Sequence, residues 1–229
     1  MEKVIDQSYY STIEERETMY TFLKVVFEAP LTIDTLTQWK ENFTPAFIDI
    51  LTIENEALYQ SFEKLRNSDL ESFEAEEKAA YLATFNVFNE SGHIPAPPWE
   101  SVYVTKDRTM FAEPVFQMRK QWESFGMEIV NKHRVPEDHI SIELEFMCYL
   151  IDFTREALRL SNKENFVRGI YTQFWLLKDH LNHWVKPFTR DILSSDTSDF
   201  YKGVAKLLQL FVEEDVEYMK SIKEVLDHE

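Results

Sequence analysis

Three short runs concentrate the side chains that could do chemistry: PAPPWESVY at Pro95–Tyr103, VPEDHISIELEFM at Val135–Met147 and DHLNHWVKPF at Asp179–Phe188. Each sets aromatic residues or prolines beside acids or histidines near an expected helix end. Glu137 and Asp138 stand where a helix should begin. Carboxylates there accept hydrogen bonds from unpaired N–H groups and gain from the helix dipole, so capping the following helix is one role and pairing with an external cation is another. His139 and Glu143 are one helical turn apart, so His139 could hydrogen-bond and orient Glu143, or be a satisfied structural histidine. Trp99 follows two prolines that stiffen its approach, which makes it either a preorganised wall of an apolar groove or a plug over the core. His180 and His183, at i and i+3 beside Asp179, could ligate a divalent metal if His139 or a carboxylate completed the set. Structural histidines are the stronger reading. No HExxH occurs, and a di-iron bundle needs two helical Glu-x-x-His units, whereas Glu90 to His93 lies in a glycine-containing loop.

Helical periodicity and stop signals recur along the chain and set these residues on helices. A capping box at Ser11/Glu14 or Thr12/Glu15 should open a helix through Met19, Phe22, Leu23 and Val26 that ends at Pro30. Thr32 and Asp34 open a second toward Trp39, and a third covers roughly 53–65. The next runs from about Ser68 to Asn89, with Tyr81, Leu82, Phe85 and Phe88 at i, i+1, i+4 and i+7, the spacing of ordinary core packing. From Ser91 to about Thr105 the pattern breaks at Gly92, Pro95, Pro97 and Pro98; we expect an ordered loop, because Trp99, Val102 and Tyr103 would be costly to leave in water. Helices then cover roughly 114–131, 137–160 (apolar on most sides, hence central), 163–185 with Asn162 as its cap and Pro187 beyond its end, and 198–226. The expectation is an all-α, single-domain helical bundle of roughly eight to ten helices, with an ordered Pro-rich loop in the middle. Residues 1–229 form one domain on this reading, and 91–105 is the place for an internal break.

Composition narrows the function classes. Of 229 residues, 44% are hydrophobic and 28% charged, a globular balance that excludes disorder. Lys and Arg number 24 against 41 Asp and Glu, a net charge of −17, which repels phosphate backbones and anionic lipid and favours a cationic partner such as an Arg-bearing peptide. The single cysteine, Cys148, forms no intrachain disulfide and fits a reducing compartment. The four glycines lie far apart, so no phosphate-binding loop can be assembled. No run reaches the ~18 apolar residues of a membrane span, and the first ten residues lack the basic and apolar regions of an export leader, so we expect a cytoplasmic protein.

Together the three runs resemble the TorD/DmsD/NarJ-type cytoplasmic chaperones for molybdenum-containing oxidoreductases, the TorD/DmsD branch above all. The matching residues are Pro97, Pro98, Trp99, Glu100, Ser101, Val102 and Tyr103; Pro136, Asp138, His139, Glu143 and Phe146; and His180, Leu181, Trp184, Pro187 and Phe188. Order and approximate spacing hold across Tyr81 to Phe188, about half the chain. Where the family often has Glu before the Pro of the second block, this chain has Val135. The resemblance implies an all-helical, non-catalytic protein with no cofactor and no metal of its own. Such a protein binds the twin-arginine signal peptide of a partner reductase and holds that partner back from export until its molybdopterin cofactor is in place. Carried residue by residue, it places signal-peptide binding at Tyr81, Leu82, Phe85, Pro97, Pro98, Trp99, Ser101, Tyr103, Glu137, Asp138, His139, Glu143, His180 and Trp184. Two guanidinium groups beside an apolar stretch call for carboxylates, with Asp138 and Glu137 first, and for a greasy groove, with Trp99 in its wall. Some family members are linked with guanine nucleotides, but no residue here is assigned to one. The partners implied are that signal peptide and the folded part of a molybdoenzyme catalytic subunit, without nucleic acid or stable membrane insertion, for a monomer or a domain-swapped dimer. Two readings compete: a small helical metalloenzyme using His139, His180 and His183, and a scaffold for an unrelated basic peptide.

Overall fold

The computed structural model describes residues 7–127 and 136–228, which form helices, turns and loops and no β-strand beyond one isolated bridge. The helices are α1 (Gln7–Glu28), α2 (Ile33–Asn42), α3 (Pro45–Leu51), α4 (Glu56–Asn67), α5 (Leu70–Tyr81), α6 (Glu100–Val104), α7 (Glu113–Ser124), α8 (Ile140–Arg159), α9 (Lys163–Leu176), α10 (Asn182–Ser194) and α11 (Asp199–Asp227). Wider π turns follow α5 at Leu82–Asn86 and α9 at Leu177–Leu181. The chain forms two compact units, the first made of Met1–Glu28, Trp99–Trp184 and Val212–Glu229, the second of Ala29–Pro98 and Val185–Phe211. One boundary, Pro98 to Trp99, falls inside the proline-rich segment.

In the first unit α8 is the central helix. Ile140, Leu144, Phe146, Met147, Leu150, Ile151 and Leu158 are all buried, and α1 and α9 pack on it. Gly169 of α9 sits so close to α8 that a Cβ there would lie 2.2 Å from Thr154 Oγ1. Arg16 of α1, itself buried, donates from Nε to Asp215 Oδ1 of α11 at 2.6 Å and from Nη1 to Gln173 Oε1 of α9 at 2.8 Å. Tyr20 donates to the second oxygen of Asp215 at 2.5 Å. In the second unit Trp39, Phe62, Tyr81, Phe85, Phe188, Phe200 and Tyr201 are buried together, with ring centroids such as Phe85 and Tyr201 5.4 Å apart. Thr84, in the π turn after α5, donates to Thr197 at 2.8 Å.

Local signals placed some elements where expected and missed others. Thr32 and Asn162 cap α2 and α9 as read. α1 is already helical at Gln7, so Ser11 and Thr12 lie within it and do not open it. The expected 53–65 helix starts only at Glu56, capped by Asn55, and α3 precedes it with Pro45 in its first turn. The helix expected to reach Asn89 leaves α geometry at Leu82 and ends at Asn86. The proline-rich loop is ordered, but its last residues fold as α6. The helix expected to reach Asn131 ends at Ser124, where Gly126 turns back at φ +73°; Asn131 and Val135 lie outside the described residues. Pro187 is inside α10 and not past a helix end. Buried Trp184, Val185 and Phe188 hold that stretch in place, tertiary packing outweighing the ~3 kcal/mol local cost of an interior proline.

Candidate functional site

The first unit joins two of the three chemically loaded runs directly. Trp99, extended at φ −125° and ψ 129°, forms an antiparallel bridge with His139, and its ring meets the imidazole edge-on at 5.6 Å. Glu100 N–H donates to the Asp138 carbonyl at 3.0 Å, and Ser101 N–H donates to Asp138 Oδ2 at 2.8 Å. Asp138 therefore caps α6, a helix 37 residues upstream, and not the helix that follows it. That following helix, α8, is capped by His139, whose Nδ1 accepts from Ser141 N–H at 3.1 Å. Glu137 caps neither helix. Its Oε1 accepts from Arg119 Nε of α7 at 2.7 Å, so this chain already supplies a cation for it. Of the two carboxylates expected to receive a guanidinium, the fold commits Glu137 and leaves one oxygen of Asp138 uncommitted.

The expected His139–Glu143 pair does not form. His139 Nδ1 is spent on Ser141, and burial drives this imidazole down to about 4, so it is neutral near pH 7. Because Nδ1 accepts, the proton sits on Nε2. Glu143 instead accepts from the indole N–H of Trp184 at 3.1 Å. Tyr103 stacks on Trp184 with centroids 5.7 Å apart, and the Arg108 guanidinium lies over the outer ring at 5.0 Å.

Beneath α6 lies a buried cluster of acids. Glu100 Oε2 is 2.6 Å from His180 Nδ1 across 80 residues of sequence. Oxygen and nitrogen atoms of Glu100, Glu143 and His180 lie within 4.8 Å of one another, the one such grouping of possible metal ligands among the described residues. Burial foremost, then the charge of Glu100, pushes the Glu143 carboxyl well above its usual range. Burial also raises Asp138, against hydrogen bonds from Ser101 that pull the other way. Asp138 Oδ1, Glu143 Oε1 and His180 Nε2 are buried without a hydrogen-bond partner among the described residues.

The remaining expected residues fall in several places. Ser101 is buried, and its Oγ accepts from Ala112 N–H at 3.2 Å, which pins the loop after α6. Pro97 and Pro98 are buried immediately before the half-buried Trp99. Tyr81 and Phe85 are core residues of the second unit, with Leu82 half-buried beside them in sequence. His139, His180 and His183 do not form a metal triad. His180 is buried on Glu100, whereas His183 is exposed. Two partners escaped the sequence reading. Glu100 had a signal, an acid directly after Trp99 in the proline block; Arg119 had none, because only the fold brings α7 to Glu137.

Three comparisons set this geometry beside known proteins. The chain is 27% identical over 208 residues to the chaperone protein TorD of Aliivibrio salmonicida, covering 90% of this chain and 95% of that protein. To TorD of a Psychrobacter species it is 26% identical over 225 residues, covering 95% and 97%. A solved structure from Archaeoglobus fulgidus, of a protein assigned to redox enzyme maturation, matches with a TM-score of 0.53 at 18% identity over 86% of this chain and 93% of that one, a likeness of fold. The sequence model of the nitrate reductase delta subunit family matches residues 51–190, well over half the chain and all three chemically loaded runs. The chain belongs to that family, the TorD/DmsD/NarJ group whose motifs it carries, on the TorD branch.

Proposed function

We propose that this protein is a chaperone that binds the twin-arginine signal peptide of a molybdopterin-containing oxidoreductase of the dimethyl-sulfoxide or trimethylamine-N-oxide reductase type. It acts in the cytoplasm, before the partner is exported. The observation that carries this reading is the junction of the Trp99–Ser101 and Asp138–His139 segments: a half-buried indole bridged to His139, next to a carboxyl group with one oxygen that no described residue satisfies. A guanidinium offers the forked donors that such an oxygen lacks, and the apolar stretch behind the arginines suits an aromatic wall. Its mechanism is binding and release. The free peptide is flexible, so the apolar contact offsets the ordering cost while the acids select the arginine-bearing partner. The net charge of −17 speeds encounter with a basic segment.

Calorimetric titration with the leader peptide of a co-encoded reductase tests this. Losing a charge-assisted hydrogen bond worth ~1.5 to 3 kcal/mol should weaken binding about 10- to 100-fold, for a leader with both arginines changed to glutamine or for Asp138→Asn. A leader that binds equally well without its arginines would defeat the reading.

A further inference from the structure

We infer that capture of a leader arginine expels a proton from the buried acids beneath α6, so that signal-peptide binding is linked to pH through Glu143 and Asp138. The inference rests on the peptide-binding reading above and adds its regulation.

Three carboxyl groups, Glu100, Glu143 and Asp138, share the buried region with His180, while His139, buried next to Asp138, is kept neutral by burial. The groups that face Glu143 come from four elements: Glu100 from α6, Asp138 from the turn before α8, His180 from the π turn and the Trp184 indole from α10. None is a lysine or arginine, and among the described residues neither type pairs with any of the three acids. Among the described arginines, Arg119 pairs with Glu137 and Arg108 lies over Tyr103. Ionising all three buried acids against His180 is costly, so the cluster keeps a proton. The direction of the Glu143 and Asp138 shifts agrees.

The two acceptor atoms without partners, Asp138 Oδ1 and Glu143 Oε1, belong to the two acids that burial holds toward the protonated form. α6 is five residues long, buried at Glu100, Ser101 and Val102 and exposed at Val104, so the cluster lies beneath one thin helix. A guanidinium admitted there supplies the missing positive charge, makes the ionised carboxylate the favoured form and sends the proton to solvent. A cluster that served only the fold would hold the same number of protons with and without peptide.

The full chain is titrated with the leader at one pH in buffers of different ionisation enthalpy, where the slope of observed heat counts the protons exchanged. About 0.5 to 1 proton released per peptide is expected, and correspondingly a Kd that falls about 3- to 10-fold per pH unit between pH 6 and 8. The pH profile of the unaltered protein stands even where a variant folds poorly. Glu143→Gln, neutral and still able to accept from Trp184, should bind more weakly and release less than half as many protons. A leader that binds with no proton exchange and a flat profile overturns the inference and leaves the peptide-binding reading intact; a leader that does not bind at all removes both. Undiminished release from both Glu143→Gln and Asp138→Asn also overturns it, since the proton would then come from elsewhere.

Discussion

Asp138 has one task in the fold and one proposed here, each on its own oxygen. Oδ2 caps α6 through Ser101 N–H, and Oδ1 is left over. Substitution separates the tasks. Asp138→Ala removes the cap and should cost ~1 kcal/mol of stability, read as a lower urea midpoint. Asp138→Asn keeps an acceptor for Ser101, so it should cost less stability than the alanine variant yet lose as much peptide affinity. Equal loss of stability in both would mean that the carboxylate charge, and not the cap, holds α6. The sequence showed an acid at a helix start, which is a local signal. It pointed to α8, because nothing local says that the recipient of the cap lies 37 residues earlier. The Glu100–His180 contact was hidden for the same reason at larger range, 80 residues. That the segments of Trp99 and Asp138 meet is implied by the resemblance of motifs and not by any spacing rule.

At the scale of elements, caps were legible and departures from α geometry were not. Thr32 and Asn162 announce α2 and α9 because the bond they make is three residues long. The π turn at Leu177–Leu181 has no local signal, and the spacing of His180 and His183 does not tell that the first is buried and the second exposed. Glycine tells the opposite story, since its reason shows only in packing. A Cβ at Gly203 of α11 would lie 2.8 Å from the backbone N and 2.9 Å from the Cα of Leu58 in α4, atoms that cannot swing aside. The adjacent Asn55 side chain donates to the Gly203 carbonyl at 2.8 Å and fixes that approach. Gly203→Ala should therefore destabilise by ~1 to 3 kcal/mol despite improving helix propensity. Thermal denaturation reads the sign, and a stabilised variant would show that α4 and α11 can move apart at little cost.

Across the molecule, a charge of −17 favours acid conditions in general, and three buried groups shape the profile in detail. Burial raises Glu77, whose Oε2 accepts from Ser198 at 2.5 Å, from 4.5 to about 7. The folded state then binds more protons than the unfolded chain between those values, so stability falls as pH rises through that window, by up to ~3 kcal/mol. His139 moves from 6.5 down to about 4, so the folded state binds fewer protons there, and stability rises with pH across that range by a similar amount. The two slopes oppose each other in mild acid. Glu143, also held well above 4.5 by burial, adds a second falling slope that starts from the same pH as that of Glu77, and above the ordinary histidine range the gain from His139 is complete. The urea midpoint should therefore decline from about pH 5 through neutrality, the His139 gain offsetting only part of the loss. Glu77→Gln keeps an acceptor for Ser198 and removes the charge, so its midpoint should change less between pH 5 and 6.5 and exceed that of the unaltered protein most at pH 8. Superimposable profiles for the two proteins would show that Glu77 ionises without resistance in the folded state.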